Sequence, residues 1–188
     1  GIRGGSATVH FPIWHQEIRD IIVLKNNKGT EDNRVRKLDY SIQLSALFYQ
    51  RFIDNGKITL FSPHDVPNLY ESFGTESFDE LYQTYENDES IPKTSVSAQE
   101  LILDLLKERA ETGRLYIMNI DHCNSHSSFT DKVEMSNLCQ EITLPTKPVQ
   151  HIDDEHGEIA LCILSAINIG KIRDVQDLET LCDLSVRS

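Results

Sequence analysis

The sequence predicts an α/β fold with parallel strands, and three observations carry that prediction. Short β-prone runs alternate with stretches whose apolar residues recur at helical spacing. Capping and stop signals fall where those stretches begin and end. A chain of 188 residues, 39% of them hydrophobic, is long enough to bury a sizeable core, in one or two domains by length.

Residues 7–13 read as a short strand, and residues 14–25 as a helix with Ile18, Ile21 and Ile22 on one side. Residues 26–33 are polar and read as a loop. A second helix is expected over residues 40–54, through Leu44, Leu47 and Phe48, stopped by Asn55-Gly56 before a strand at residues 58–61. Ser77 with Glu80, and Ser97 with Glu100, have the spacing of capping boxes, so a helix should open at each. The helix after Ser97 turns Ile102, Leu105 and Leu106 inward and ends near Gly113. Residues 115–120 read as a strand, 121–138 as a long connection and 159–164 as a buried strand. Residues 177–188 pattern as an amphipathic helix with Leu178, Leu181, Cys182 and Ser185 on one face, which puts Cys182 in the core.

The formal net charge of −12 argues against nucleic acid or an anionic membrane as a direct partner, because phosphate surfaces are bound by basic patches. No apolar run approaches the roughly 20 residues of a membrane span, and no repeat, low-complexity stretch or signal peptide is visible. Cys123, Cys139, Cys162 and Cys182 have neither C-x-x-C spacing nor the look of a secreted disulfide framework, so a reducing cytoplasm is the expected compartment. His122, Cys123 and His126 lack a second ligand pair at zinc-site spacing, and packing beneath a site is the expected role of that segment. The acidic stretch 151–156 reads as a solvated turn.

One short stretch carries chemistry. Asn137, Cys139 and Glu141 bring a carboxamide, a thiol and a carboxylate together, and Cys162 places a second thiol at the end of the next apolar run. In an extended segment residues i, i+2 and i+4 point the same way, so the three would converge on one ligand; on a helix they would scatter. The set suits redox or radical chemistry on a small polar substrate. A free cysteine is more often a small apolar core group, and a pattern this short has little weight alone.

Its surroundings add that weight. Ser136-Asn137-Leu138-Cys139-Gln140-Glu141-Ile142-Thr143-Leu144-Pro145-Thr146-Lys147-Pro148, then Gly157 to Cys162 and Ser165-Ala166-Ile167-Asn168-Ile169-Gly170, closely resemble the large subunit of class I, aerobic ribonucleotide reductase. Gly1-Ile2-Arg3-Gly4-Gly5, Leu24-Lys25-Asn26-Asn27, Asn33-Arg34-Val35-Arg36, Leu60-Phe61-Ser62-Pro63 and Asn119-Ile120-Asp121-His122-Cys123-Asn124 fall in the same order as in that family. The likeness runs end to end and is greatest to the bacterial and T-even-phage branch.

The resemblance implies part of a ten-stranded α/β barrel made of two five-stranded halves, with Cys139 at the tip of a finger loop. Residues 1–188 would be a partial catalytic barrel domain, with 1–6 the second half of a specificity loop and 121–145 the finger-loop region. By the same resemblance the reaction is reduction of ribonucleoside diphosphates to deoxyribonucleoside diphosphates for DNA synthesis. Cys139 would carry a thiyl radical, Glu141 act as general base, Asn137 orient the ribose hydroxyls and Cys162 be one of two reducing thiols. Arg3, Gly4 and Gly5 would approach the substrate and sense the bound effector.

No cofactor is expected in this chain itself. The resemblance places the radical-generating metal in a separate small subunit, the reducing equivalents in thioredoxin or glutaredoxin, and ATP, dATP, dTTP or dGTP as effectors of a homodimeric full-length subunit. The chain opens without Met in a glycine-rich run and closes inside a helical pattern, so an internal piece of that subunit is expected, exposing the apolar faces of residues 115–120 and 159–164. The alternative is a split-gene or non-enzymatic barrel segment that acts only after assembly with other pieces.

Overall fold

The computed structural model describes residue 2 and residues 4–187. The chain divides into two units, Gly1–Thr146 and Lys147–Ser188. The first contains β1 (Thr8–Pro12), α1 (Ile18–Ile21), β2 (Asp39–Leu44), α2 (Ala46–Ile53), β3 (Lys57–Leu60), α3 (Leu69–Ser72), α4 (Phe78–Asn87), β4 (Thr94–Ser97), α5 (Ala98–Thr112), β5 (Leu115–Asn119) and α6 (Ile120–Ser125). The second contains α7 (Val175–Arg187).

The mixed α/β class predicted from the sequence is present. β1, β2 and β5 form a parallel sheet in that order, with His10 opposite Ser41 and Gln43 opposite Met118. β3 and β4 form an antiparallel ribbon. Among the described residues the strands do not close into a barrel.

The sheet has two chemically different faces because its strands alternate. Thr8 and His10 on β1 share a side with Ser41 and Gln43 on β2, while Val9, Phe11, Tyr40, Ile42 and Leu44 take the other. A core of Trp14, Phe48, Phe61, Phe73, Phe78 and Tyr82, all essentially inaccessible, lies between the helices and the ribbon. Phe73 and Phe78 approach to 4.6 Å between ring centroids, and Phe48 meets Tyr82 edge to face at 5.4 Å. The Tyr82 hydroxyl donates to the Thr59 carbonyl at 2.7 Å and accepts from the Thr59 amide at 2.8 Å, which satisfies it inside the core and ties α4 to β3. Burial raises its pKa far above the usual phenol value.

Several elements differ from their sequence-based expectation. Residues 40–44 are strand, and the helix begins only at Ala46; Tyr40, Ile42 and Leu44 fit a sheet buried on both faces, and parallel strands lose the alternation in hydrophobicity that marks an exposed sheet. Within 14–25 only four residues are helical, although Ile18, Ile21 and Ile22 are buried as expected. Ser77 precedes α4 without accepting a capping bond, whereas Ser97 accepts from Glu100 N at 3.3 Å. Gly113 caps α5 in the left-handed conformation, with φ +63°, and Leu106 faces solvent while Ile102 and Leu105 are buried. The long connection after β5 opens with α6.

Residues 115–120 do not expose an apolar face, because Leu115, Met118 and Ile120 are buried. Residues 159–164 are not a buried strand, but their apolar side chains are exposed, as expected for these residues in this chain. Ile159, Leu161, Ile163 and Leu164 are 74%, 81%, 86% and 81% exposed, and the described part of this unit offers no strand to pair with; its only bridge joins Lys147 and Glu158. α7 forms as predicted, but Cys182 on it is exposed, not core.

Candidate active site

Residues 134–140 lie on the polar face of the three-stranded sheet. Gln43 Nε2 donates to the Glu134 carbonyl at 2.6 Å, and His10 Nε2 lies 3.2 Å from the Ser136 carbonyl. Thr8 Oγ1 donates to the Leu138 carbonyl at 2.6 Å. Ser41 Oγ donates to Gln140 Oε1 at 2.6 Å, and Gln140 Nε2 donates to the Ile117 carbonyl at 2.7 Å. Side chains from β1 and β2 and a carbonyl of β5 thus hold the loop at every second residue from 134 to 140. The signal was present in the strands, where Thr8, His10, Ser41 and Gln43 fall at every second position, but a polar alternation names no partner.

Residues 137–142 close a turn. Gln140 N donates to the Asn137 carbonyl at 3.1 Å, Asn137 N to the Ile142 carbonyl at 3.3 Å, and Ile142 N to Asn137 Oδ1 at 3.0 Å. Gln140 takes φ +64°. This geometry replaces the extended segment expected from the sequence, so alternation does not bring Asn137, Cys139 and Glu141 onto one side. Asn137 is half-buried, and its carboxamide oxygen serves the turn by accepting from Ile142 N. Cys139 and Glu141 are exposed at the tip.

Behind the turn, α6 supports the loop. Asn124 Nδ2 donates to the Ile120 and Val133 carbonyls, both at 2.9 Å, and Asn124 Oδ1 accepts from Val133 N at 2.8 Å. Gly74, with φ +88°, makes room for this helix: a Cβ there would sit 2.8 Å from Ile120 Cγ1 and 2.9 Å from Asn124 Nδ2. A cleft of about 430 Å³ lies between the turn and α6, lined in part by Ile117, Asn119, His122, Cys123, His126 and Gln140. Burial, and secondarily the Asp121 carboxylate, pushes the Cys123 thiol above its usual pKa, which keeps it protonated and unreactive. Burial likewise lowers His10 below the usual imidazole range. Among the described residues no group of three or more His, Cys, Asp or Glu side chains could hold a metal ion.

Cys162 lies in the other unit, exposed and without regular structure. Gly4 and Gly5 are exposed, and a Cβ on either would meet nothing within 4 Å. Arg3 lies outside the described residues. In the acidic stretch, the Asp154 carboxylate accepts from the Gln150 and His156 amides at 2.9 Å, which makes it a turn of the kind expected and holds its pKa below the usual carboxylate value.

Comparison with known proteins decides the family. The family model described as "Ribonucleotide reductase, barrel domain" matches residues 1–188. The chain belongs to this family. It is 56% identical to the ribonucleoside-diphosphate reductase subunit alpha of Buchnera aphidicola subsp. Schizaphis graminum and 58% identical to that of Haemophilus influenzae, in each case over 100% of this chain. The subunit alpha of Enterobacteria phage T4 is 42% identical over 100% of the chain. The chain spans 25–26% of the length of these relatives. A large subunit from Plasmodium falciparum is 35% identical over 95% of this chain, less than the bacterial and phage relatives just named, in line with the sequence resemblance.

Proposed function

We propose that this chain supplies the finger-loop segment of a ribonucleoside-diphosphate reductase large subunit, making deoxyribonucleoside diphosphates for DNA synthesis by thiyl-radical chemistry. The observation that supports this most is the Asn137 to Ile142 turn, which presents a thiol and a carboxylate from one hydrogen-bonded loop on a parallel sheet, in a chain matched along its whole length to the barrel family.

In this reading Cys139, once oxidised to the thiyl radical, takes the 3′ hydrogen of the ribose and forms an S–H bond, leaving a carbon radical on the sugar. Glu141 accepts the proton of the 3′ hydroxyl, while the 2′ hydroxyl takes a proton from one of the two reducing thiols and leaves as water. Glu141 returns its proton to the 3′ oxygen when the sugar is reduced. The amide nitrogen of Asn137 donates to a ribose hydroxyl. Cys162 and a second thiol supply two electrons and two protons and become a disulfide, after which Cys139 returns the 3′ hydrogen and is a radical again. The initial oxidising equivalent comes from a separate, metal-containing small subunit. Thioredoxin or glutaredoxin reduces the disulfide by thiol exchange in the cytoplasm. Arg3, Gly4 and Gly5 would belong to the specificity loop of a homodimeric full-length subunit, with Arg3 the candidate to contact substrate and the choice of base set by ATP, dATP, dTTP or dGTP.

The test grafts this chain in place of the matching segment of the Haemophilus influenzae subunit and measures deoxynucleotide formation. The unmodified graft should turn over. Cys139→Ser should abolish turnover while leaving substrate bound, because the serine O–H bond is too strong to yield the radical. Glu141→Gln should turn over slowly, since an amide cannot take the proton. Cys162→Ser should consume substrate and release free base without deoxynucleotide. Reductase activity retained by Cys139→Ser would overturn the reading.

A further inference from the structure

We infer that Gln140, held by Ser41, is a positioning residue that fixes the direction in which the loop tip presents Cys139 and Glu141; this rests on the function proposed above. Gln140 stands between those two residues in sequence, yet its own side chain points the opposite way, half-buried against the sheet. Both ends of its carboxamide are used: Oε1 accepts from Ser41 Oγ at 2.6 Å and Nε2 donates to the Ile117 carbonyl at 2.7 Å. One side chain therefore spans β2 and β5, and the pairing of Ser41 with Tyr116 fixes how far apart its two partners lie.

The backbone at Gln140 reinforces the assignment. Its φ of +64° is one that residues with a Cβ rarely adopt, and glycine would adopt it more readily. Such a conformation persists where the surroundings hold it, and here the two carboxamide bonds and the Gln140 N bond to the Asn137 carbonyl at 3.1 Å do so. Because the left-handed residue lies directly between Cys139 and Glu141, rotation about it would swing one functional group relative to the other. The contacts that Thr8, His10 and Gln43 make with the loop are to its backbone, upstream of Cys139. Gln140 is the side chain of the turn that reaches back to the sheet from between the two.

The experiment separates the side chain from the backbone. Gln140→Gly relieves the backbone and removes the clamp; Gln140→Met keeps the length and removes the bonds; Ser41→Ala removes one partner. Hydrogen exchange at the Asn137, Gln140 and Ile142 amides of the chain itself should quicken by about tenfold or more in all three, with β3 and β4 unchanged. Pairing Ser41→Ala with Gln140→Met should add little to either alone, because both break one clamp. In the Haemophilus graft kcat should fall about tenfold while KM for the diphosphate stays within about twofold, the mark of misdirected reacting groups and not of lost binding. Native exchange rates in Gln140→Gly would overturn the inference whatever the activity. If the unmodified graft is inactive, the proposed function fails, and the exchange rates still decide whether Gln140 holds the turn.

Discussion

At the scale of single residues, the loop rests on bonds that only certain side chains can make. His10 is a case with a pH consequence. It lies against the backbone of Ser136, its Nδ1 is buried without a partner, and burial lowers its pKa from the usual 6.5. The unfolded chain therefore binds a proton more readily than the folded one, so stability contributed by neutral His10 is fully present above 6.5 and declines as pH falls below that value. His15 is shifted the same way, again mainly by burial. Chemical denaturation from pH 8 to 5 should show stability falling with acid, and His10→Gln should flatten part of that slope while leaving the share of His15. An unchanged slope in His10→Gln would show that His10 is solvated and that the loop does not press on it. The chemistry-bearing residues were legible in the sequence as residue types, whereas their support was not. Asn137 was legible as a carboxamide near a thiol, but its use of Oδ1 to close its own turn depends on Ile142 being brought back to it, which no spacing rule states.

At the scale of elements, local signals succeeded where one residue dictates the backbone and failed where packing decides. Asn55, with φ +52°, and Gly113, with φ +63°, end α2 and α5 as read from the sequence, because left-handed residues stop helices wherever they sit. Tyr40 to Leu44 were misread because Leu44, Leu47 and Phe48 keep helical spacing across the junction, while the neighbours that make residues 40–44 a strand, β1 and β5, lie far away in sequence. Gly74 belongs to the same class of hidden requirement. It reads as an ordinary loop glycine, yet it lets α6 approach closely enough for Asn124 to hold Val133. Gly74→Ala puts a Cβ into Ile120 and Asn124 at a positive φ, and should cost about 1–3 kcal/mol of stability, a large share of the roughly 5–15 kcal/mol typical of a domain. Urea denaturation measures the loss, and proteolysis should then cut near residues 125–133 before elsewhere. A variant as stable as the parent would mean that α6 shifts freely and does not brace the loop.

At the scale of the whole molecule, the incomplete barrel was expected from the sequence resemblance, but which of its segments keep a core of their own was not. Three parallel strands with helices between them give the first unit a core of its own, so helical and strand patterns there were largely readable. In the unit Lys147–Ser188 the apolar run that reads as a buried strand is exposed and pairs with no strand among the described residues. That mismatch leads to the prediction for the chain alone. Ile159, Leu161, Ile163 and Leu164 are all more than 70% exposed, a continuous apolar run that water disfavours, so the purified chain should self-associate and bind a hydrophobic dye. Replacing Leu161 and Ile163 with lysine should suppress both, as read by light scattering and dye fluorescence. The chain alone should also make no deoxynucleotide when mixed with a radical-generating small subunit, dithiothreitol, effector and labelled diphosphate. Cys139 and Glu141 are exposed at the loop tip, and a thiyl radical open to solvent and to added thiol is quenched before it can meet a ribose. Activity in the graft but not in the chain alone would assign the missing protection to the rest of the barrel. Turnover by the chain alone above a Cys139→Ser control would show instead that the loop and its sheet suffice.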